Sequence, residues 1–132
     1  MPIDKQFWSD GLMQKNDGID AGDLDAAILG LSQPDAHFFR TLRDHPDFQC
    51  AALTMQLTLH FRGEKLGGLN RKLGEWYVSK LFVARHDGAR ALESRGFRRM
   101  QTGKNHVYWA RSGAGSLTAF REAISEMAGV EV

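Results

Sequence analysis

The clearest pattern in the chain is a strict alternation of apolar and polar side chains over residues 53–62. Leucine, methionine and phenylalanine occupy the odd positions, and threonine, glutamine, histidine and arginine occupy the even ones. Successive side chains of a β-strand point to opposite faces, so a period of two predicts a strand. We therefore expect a strand from Leu53 to Arg62 with one buried face and one solvent-exposed face.

A second strand is predicted from Glu75 to Arg85, because its aromatic and β-branched residues suit a sheet. Between the two runs lie glycines at positions 63, 67, 68 and 74, which indicate a basic loop. This loop has glycines and a lysine but not the spacing of a phosphate-binding loop. Strands close in sequence usually pair, so we expect these two to be antiparallel neighbours.

Short helices are predicted before the first strand. Helical spacing of apolar residues indicates one helix over Asp4–Gly18 and another over Asp23–Leu31. Ser32 followed by Pro34 predicts the N-cap and first turn of a third helix. His45–Pro46 closes this helix, because a residue before proline avoids the helical region.

The C-terminal part alternates between helix and strand. Asp87 is the predicted N-cap of a helix that Gly96 ends, and Phe97–Trp109 forms a glycine-containing hairpin. Ser116 is predicted to cap a closing helix that stops at Gly129. Its apolar stripe has helical spacing and consists of Leu117, Phe120, Ile124 and Met127.

These elements predict an α+β fold, with short N-terminal helices followed by a β-β-α-β-β-α core and a small, mainly antiparallel sheet. We divide the 132 residues into an acidic helical arm, residues 1–49, and a basic α+β core, residues 50–132, which together form one compact domain.

The charge is divided between these parts. Residues 1–49 carry four basic side chains against nine aspartates, a net charge of −5, whereas residues 60–111 have a net charge of +8. Such asymmetry favours an anionic partner for the basic part, most often nucleic acid.

Other features of the chain bear on its cellular compartment and on the binding of metals or cofactors. Cys50 is the only cysteine, so no internal disulfide can form, which fits a reducing compartment. We expect a cytoplasmic protein with no signal peptide, membrane partner, metal or cofactor. The histidines show no metal-ligand spacing, and Cys50 beside an apolar strand is best explained as a small buried hydrophobe.

The nucleic-acid interface is predicted on the basic strands and hairpin. Trp76–Tyr77 and Tyr108–Trp109 are adjacent aromatic pairs, so one ring of each pair faces the core and the other is exposed or half-covered. Exposed rings can stack on bases while lysine and arginine neutralise phosphates. The predicted contact residues are Arg62, Lys72, Lys80, Arg85, Arg90, Arg95, Arg98, Arg99, Lys104, His106 and Arg111.

Three alternatives stay open. Sheet packing and a solvated basic surface would also explain these residues. A protein-interaction, inhibitory or regulatory domain without catalysis would explain the acidic arm and the lack of a catalytic motif, with an anionic protein surface as partner. A nuclease or transferase could use His60, Glu64, His86 and His106, with His60 and His106 paired if their strands adjoin.

Overall fold

The computed structural model describes residues 21–53, 55–104 and 106–132. The predicted helix over Asp4–Gly18 lies outside these residues. Within them the chain forms, in order, α1 (Ala21–Leu29), α2 (Gln33–Arg43), β1 (Phe48–Ala52), β2 (Gln56–Phe61), β3 (Glu64–Asn70), β4 (Glu75–Ser79), α3 (Lys80–Arg85), α4 (Ala89–Glu93), β5 (Arg98–Thr102), β6 (His106–Ser112) and α5 (Ser116–Ala128).

The α+β class is confirmed, with one six-stranded sheet in the order β1-β2-β3-β4-β6-β5. Every neighbouring pair is antiparallel. The predicted pairing of the two long strands is wrong, because β3 lies between β2 and β4 and bonds to both.

The predicted loop after the first strand is in fact β3. Its glycines lower the propensity for a strand, but close packing requires them. A Cβ atom on Gly67 would lie 2.0 Å from the Tyr77 carbonyl oxygen, and one on Gly68 would lie 2.0 Å from the Leu57 carbonyl oxygen. Only glycine allows the neighbouring backbones to approach so closely.

The first predicted strand is divided by a hairpin turn. Regular pairing starts at Gln56, and the Leu53 amide donates to the Gln56 carbonyl oxygen over 2.8 Å. At the other end Arg62 has φ +50° and belongs to the next turn. The partner strand β1 was not predicted, because its sequence, Phe-Gln-Cys-Ala-Ala, lacks alternation.

The predicted solvent-exposed face of this strand is also wrong, since Thr58 and His60 are fully buried. Thr58 lies opposite Gly68, which lies opposite Tyr77. Because Gly68 has no side chain, the Tyr77 ring can cross β3, and its hydroxyl donates to the Gln56 side-chain oxygen on β2. The Thr58 hydroxyl is satisfied internally by the Ala51 carbonyl oxygen, 3.4 Å away.

The second predicted strand ends early, because Ser79 caps a helix. Its hydroxyl accepts a hydrogen bond from the Phe82 amide, at 3.4 Å, and α3 begins at Lys80. Ser79 also donates to the Lys65 carbonyl oxygen over 3.0 Å, which ties this helix start to β3. The local cap therefore overrides the strand propensity of residues 80–85.

Two predicted caps differ by one residue from the structure. Gly88, not Asp87, is the N-cap of α4, and Asp87 has a left-handed φ of +49°. Gly115, not Ser116, is the N-cap of α5, because its left-handed backbone directs the chain into the helix. Gly96 follows α4 with φ +88°, and Gly129 ends α5, as predicted.

The core lies between the sheet and the helices α2 and α5. Ser32 caps α2 as predicted, and Phe38 of that helix contacts Trp76 at 5.5 Å between ring centroids. Phe39 stacks on Trp76 at 5.4 Å, and Phe120 of α5 approaches the same ring to 4.7 Å. These rings bury one face of the sheet, here called the helix-covered face, and alternation places the tyrosines of β4 and β6 on the opposite face.

Candidate nucleic-acid interface

The two aromatic pairs are divided between the faces of the sheet. Trp76 and Trp109 are buried on the helix-covered face, where the Trp109 indole N–H donates to Glu93 over 3.2 Å. Tyr77 and Tyr108 lie on the opposite face, where Tyr77 is buried and Tyr108 is half-buried. We call this opposite side, with Tyr77, Tyr108 and His106, the tyrosine face.

Three rings follow one another across the tyrosine face. The centroids of Tyr77 and Tyr108 are 6.2 Å apart with an edge-on angle of 80°, and those of Tyr108 and His106 are 5.1 Å apart. His106 is exposed, so the row runs from a buried ring to a solvent-accessible one. Burial raises the pKa of the Tyr77 hydroxyl, which therefore stays protonated as the donor to Gln56.

A cavity of about 460 Å³ lies against this row. It is lined by Gln56, Lys65, Asn70, Glu75, Tyr77, Ser79, Lys80, Leu81, His106, Val107 and Tyr108. Cationic, anionic, amide and aromatic groups therefore converge in one concave place, as in small-molecule and nucleotide sites.

Lys65 is the most unusual charge in this cavity. It is half-buried, and among the described residues its ammonium group has no ion pair or hydrogen bond. Burial lowers its pKa because desolvation disfavours the charged form. A bound anion would offset that cost.

Four of the predicted contact residues are held by internal partners. Arg62 pairs with Asp47 at 3.3 Å, and Arg85 pairs with Glu64 at 3.1 Å. Arg95 lies between Glu126 at 3.0 Å and Glu122 at 3.6 Å. The Arg111 guanidinium donates to two backbone carbonyl oxygens, those of Arg95 at 2.8 Å and Ala114 at 3.1 Å. Arg95 and Arg111 join the helix and hairpin, so we assign them a structural role.

Six of the predicted contact residues are exposed and have no internal side-chain partner in the described part of the chain: Lys72, Lys80, Arg90, Arg98, Arg99 and Lys104. Alternation on β5 puts Arg98 on the tyrosine face with Met100, which pairs with Tyr108. Lys80 lines the cavity. Lys104 lies in the β5–β6 turn, close in sequence to His106, which also lines the cavity.

The other three exposed cations lie elsewhere. Arg99 lies opposite Trp109 and is on the helix-covered side of the edge strand. Arg90 lines a separate, open cleft of about 830 Å³ between α4 and α5. Lys72 lies in the β3–β4 turn. The predicted set is thus not one continuous surface, and four of its residues, Lys80, Arg98, Lys104 and His106, lie on or beside the tyrosine face.

The predicted catalytic group is not assembled. β3 and β4 lie between β2, which carries His60, and β6, which carries His106, so those strands do not adjoin. Glu64 does meet His86 at 3.1 Å, but the same carboxylate also binds Arg85. Burial raises the pKa of the Cys50 thiol to about 12, which opposes a nucleophilic role.

The described residues contain no cluster of three or more side chains suited to hold a metal ion. None of their helices is both long enough and apolar enough to cross a membrane. No protein-family model, curated protein or solved structure matches this chain.

Sequence reasoning missed five cavity residues that carry no strong motif: Gln56, Lys65, Asn70, Glu75 and Ser79. Gln56, Asn70 and Glu75 form one row across β2, β3 and β4, although the chain separates them. Only the strand register brings them together. The glycine pair of β3 was the available signal, because an interior glycine marks a close backbone approach or a bulge.

Proposed function

We propose that this protein binds single-stranded nucleic acid on its tyrosine face. The observation that carries this proposal is the half-buried Tyr108 ring, placed between buried Tyr77 and exposed His106 at the rim of the cavity. A ring held by neighbours loses little freedom when a base stacks on it. Unpaired bases expose their faces for stacking, whereas duplex bases do not, so the single-stranded form is favoured.

The charges around these rings suit a phosphate backbone. Lys80, Arg98 and Lys104 are exposed near the rings, and their side chains are not committed to carboxylates of the described residues. A strand crossing Tyr108 would therefore meet cations along its path. Such contacts make binding strongly salt-dependent, because condensed counterions are released.

A second candidate is a docking function for a protein with an acidic surface. It is favoured by Leu81 at the cavity rim, whose residue surface is 69% exposed, and by Leu73, which is 61% exposed. Exposed large apolar residues near cations suit a mixed apolar and acidic partner. Stacking geometry gives this candidate no support, so we rank it second.

Titration against fluorescent single- and double-stranded DNA and RNA, at low and at physiological salt, tests the proposal. We expect single strands to bind more tightly than duplexes, with affinity falling steeply as salt rises. Absence of binding to every probe at low salt would refute nucleic-acid binding, and pull-down experiments would then test the second candidate.

A further inference from the structure

The cavity has two chemically different ends. Gln56, Asn70 and Glu75 form the row at one end, and Lys65, Lys80 and His106 provide the charges at the other. Along β4, Glu75 and Ser79 are separated by about 13 Å at roughly 3.3 Å per residue. A ligand that spans the cavity can therefore place a hydrogen-bonding base at the first end and an anionic phosphate at the second.

Internal hydrogen bonds determine which atoms of the Gln56 and Asn70 side-chain amides remain available to a ligand. The Gln56 side-chain oxygen accepts from Tyr77, so its NH₂ group is left to donate. The Asn70 oxygen accepts from the backbone amides of Lys72 at 3.0 Å and Leu73 at 3.1 Å, so its NH₂ group is likewise left to donate. Both assignments follow from the hydrogen-bond network.

Glu75 supplies the complementary acceptor. It is half-buried, lies next to Asn70 in the strand register, and forms no ion pair with the described residues. A carboxylate has two acceptor oxygens and can take two parallel N–H donors. The row therefore presents two amide donors beside a two-oxygen acceptor.

Among the four bases, guanine matches this row best. Its Watson–Crick edge has two adjacent donors, N1–H and the N2 amino group, beside the O6 acceptor. Adenine and cytosine each present one amino donor beside a ring-nitrogen acceptor, which would face the Glu75 carboxylate unfavourably. Thymine and uracil have a single N–H donor between two carbonyl acceptors.

We infer that the cavity binds one guanine nucleotide of the bound strand, with the base at Gln56, Asn70 and Glu75 and the phosphate at Lys65 and Lys80. This inference rests on the proposed function and makes it base-selective. The walls are Tyr77 and Tyr108, and the half-buried Lys65 ammonium gains the counter-charge it lacks among the described residues.

Fluorescence anisotropy with thymine octamers that carry one central test base examines this inference. We expect guanine to improve affinity about tenfold over adenine, cytosine or thymine, and inosine, which lacks the N2 amino group, to lose most of that gain. Equal affinity for all five strands would overturn the guanine site while leaving single-strand binding intact. No binding to any strand would instead overturn the proposed function.

Two matched variants test whether the guanine preference depends on Glu75. Glu75→Gln should remove the guanine preference but keep base-independent, salt-dependent binding, because only the acceptor is lost. Glu131→Gln, the same change at an exposed residue after α5, should preserve the preference. Circular dichroism and thermal melting establish that both variants are folded. Guanine preference that survives Glu75→Gln would overturn the assignment of the base to this row.

A competition experiment distinguishes a site for a nucleic-acid strand from a site for a free nucleotide. Guanosine monophosphate should displace the guanine octamer only at concentrations far above the octamer's Kd, and adenosine monophosphate should be weaker still. This result is expected because a free nucleotide lacks the contacts at Arg98 and Lys104. If the free nucleotide binds as tightly as the octamer, the occupant is a nucleotide and the strand part of the inference is overturned.

Discussion

Tyr108 and His60 show how one sheet gives two aromatic rings different roles. Tyr108 is half-buried on the tyrosine face, whereas His60 is fully buried near the C-terminal end of β2. One ring can meet a ligand and the other contributes to stability. Each role leads to a measurable consequence for a single substitution.

Tyr108→Leu should weaken single-strand binding, because leucine keeps an apolar side chain opposite Met100 in the strand register but removes the stacking surface. The expected loss is about 1–3 kcal/mol of binding free energy, the usual value for one base–aromatic stack. Anisotropy titration at low salt measures it. Leu73→Ala, at an exposed residue in the β3–β4 turn, is the control and should bind like the wild type. Unchanged affinity of Tyr108→Leu would exclude stacking at this ring.

Acid should destabilise the fold through His60. Its pKa is lowered from 6.5 to about 4, first by burial and then by the charge of Lys65. The unfolded chain therefore takes up a proton below pH 6.5 that the folded chain refuses until about pH 4. This stabilisation is present above pH 6.5 and is lost as the pH falls towards 4, by about 3 kcal/mol in total.

Urea denaturation between pH 7 and pH 4 measures this loss, and His60→Gln should reduce it by a similar amount. His37→Gln, at an exposed histidine of α2, is the matched control and should keep the wild-type slope. If His60→Gln and the wild type have equal slopes, proton uptake at another group causes the acid sensitivity.

At the scale of elements, β3 is the least obvious strand and the one on which the sheet depends most. It joins β2 to β4 and carries the two interior glycines that a sequence pattern assigns to a loop. The hairpin, the α2 cap and the C-terminal stop were predictable because each rests on local turn chemistry. β3 was not predictable, because close backbone contact outweighs the low strand propensity of its glycines. The end of β4 was not predictable, because the Ser79 cap outweighs the strand propensity of residues 80–85.

Gly68→Ala should destabilise the protein by more than about 3 kcal/mol, because the new Cβ would meet backbone that cannot move independently. Gly30→Ala is the matched control. A Cβ there would lie 3.5 Å from the Ala27 carbonyl oxygen, an ordinary contact, so the change should stay within about 0.5 kcal/mol. Thermal melting of both variants gives the comparison. Similar melting temperatures would contradict the close approach of β2 and β3.

At the scale of the whole molecule, the charge asymmetry between residues 1–49 and 60–111 predicted an anionic partner but not which cations are available to it. The structure divides the predicted residues into those neutralised internally, such as Arg62 and Arg95, and those left exposed, such as Arg98 and Lys104. Ion pairs between residues far apart in the chain cannot be deduced from composition. For the same reason, the row of Gln56, Asn70 and Glu75 became visible only in the register of the folded sheet.

The double variant Arg98→Gln/Lys104→Gln should reduce the dependence of binding on salt. Each single-strand phosphate contact contributes about 0.7 to the slope of log K against log salt, so losing two should lower its magnitude by about 1.4. Arg40→Gln, which removes one cation at an exposed residue of α2, is the control and should leave the slope unchanged. A double variant with the wild-type slope would show that the phosphates contact other cations.

The strand order also carries a consequence for how the chain folds. Four of the five strand pairings join consecutive strands, and only β4–β6 skips one, closing a loop of about 30 residues between Ser79 and Tyr108. The β1–β4 meander and the β5–β6 hairpin can each form from nearby segments, so we expect their union to be the late step of folding.

Val107→Ala should then mainly accelerate unfolding, whereas Leu59→Ala should slow folding, and stopped-flow kinetics would distinguish the two. In this view the contact between Tyr77 of β4 and Tyr108 of β6 on the tyrosine face forms only after the last folding barrier has been crossed.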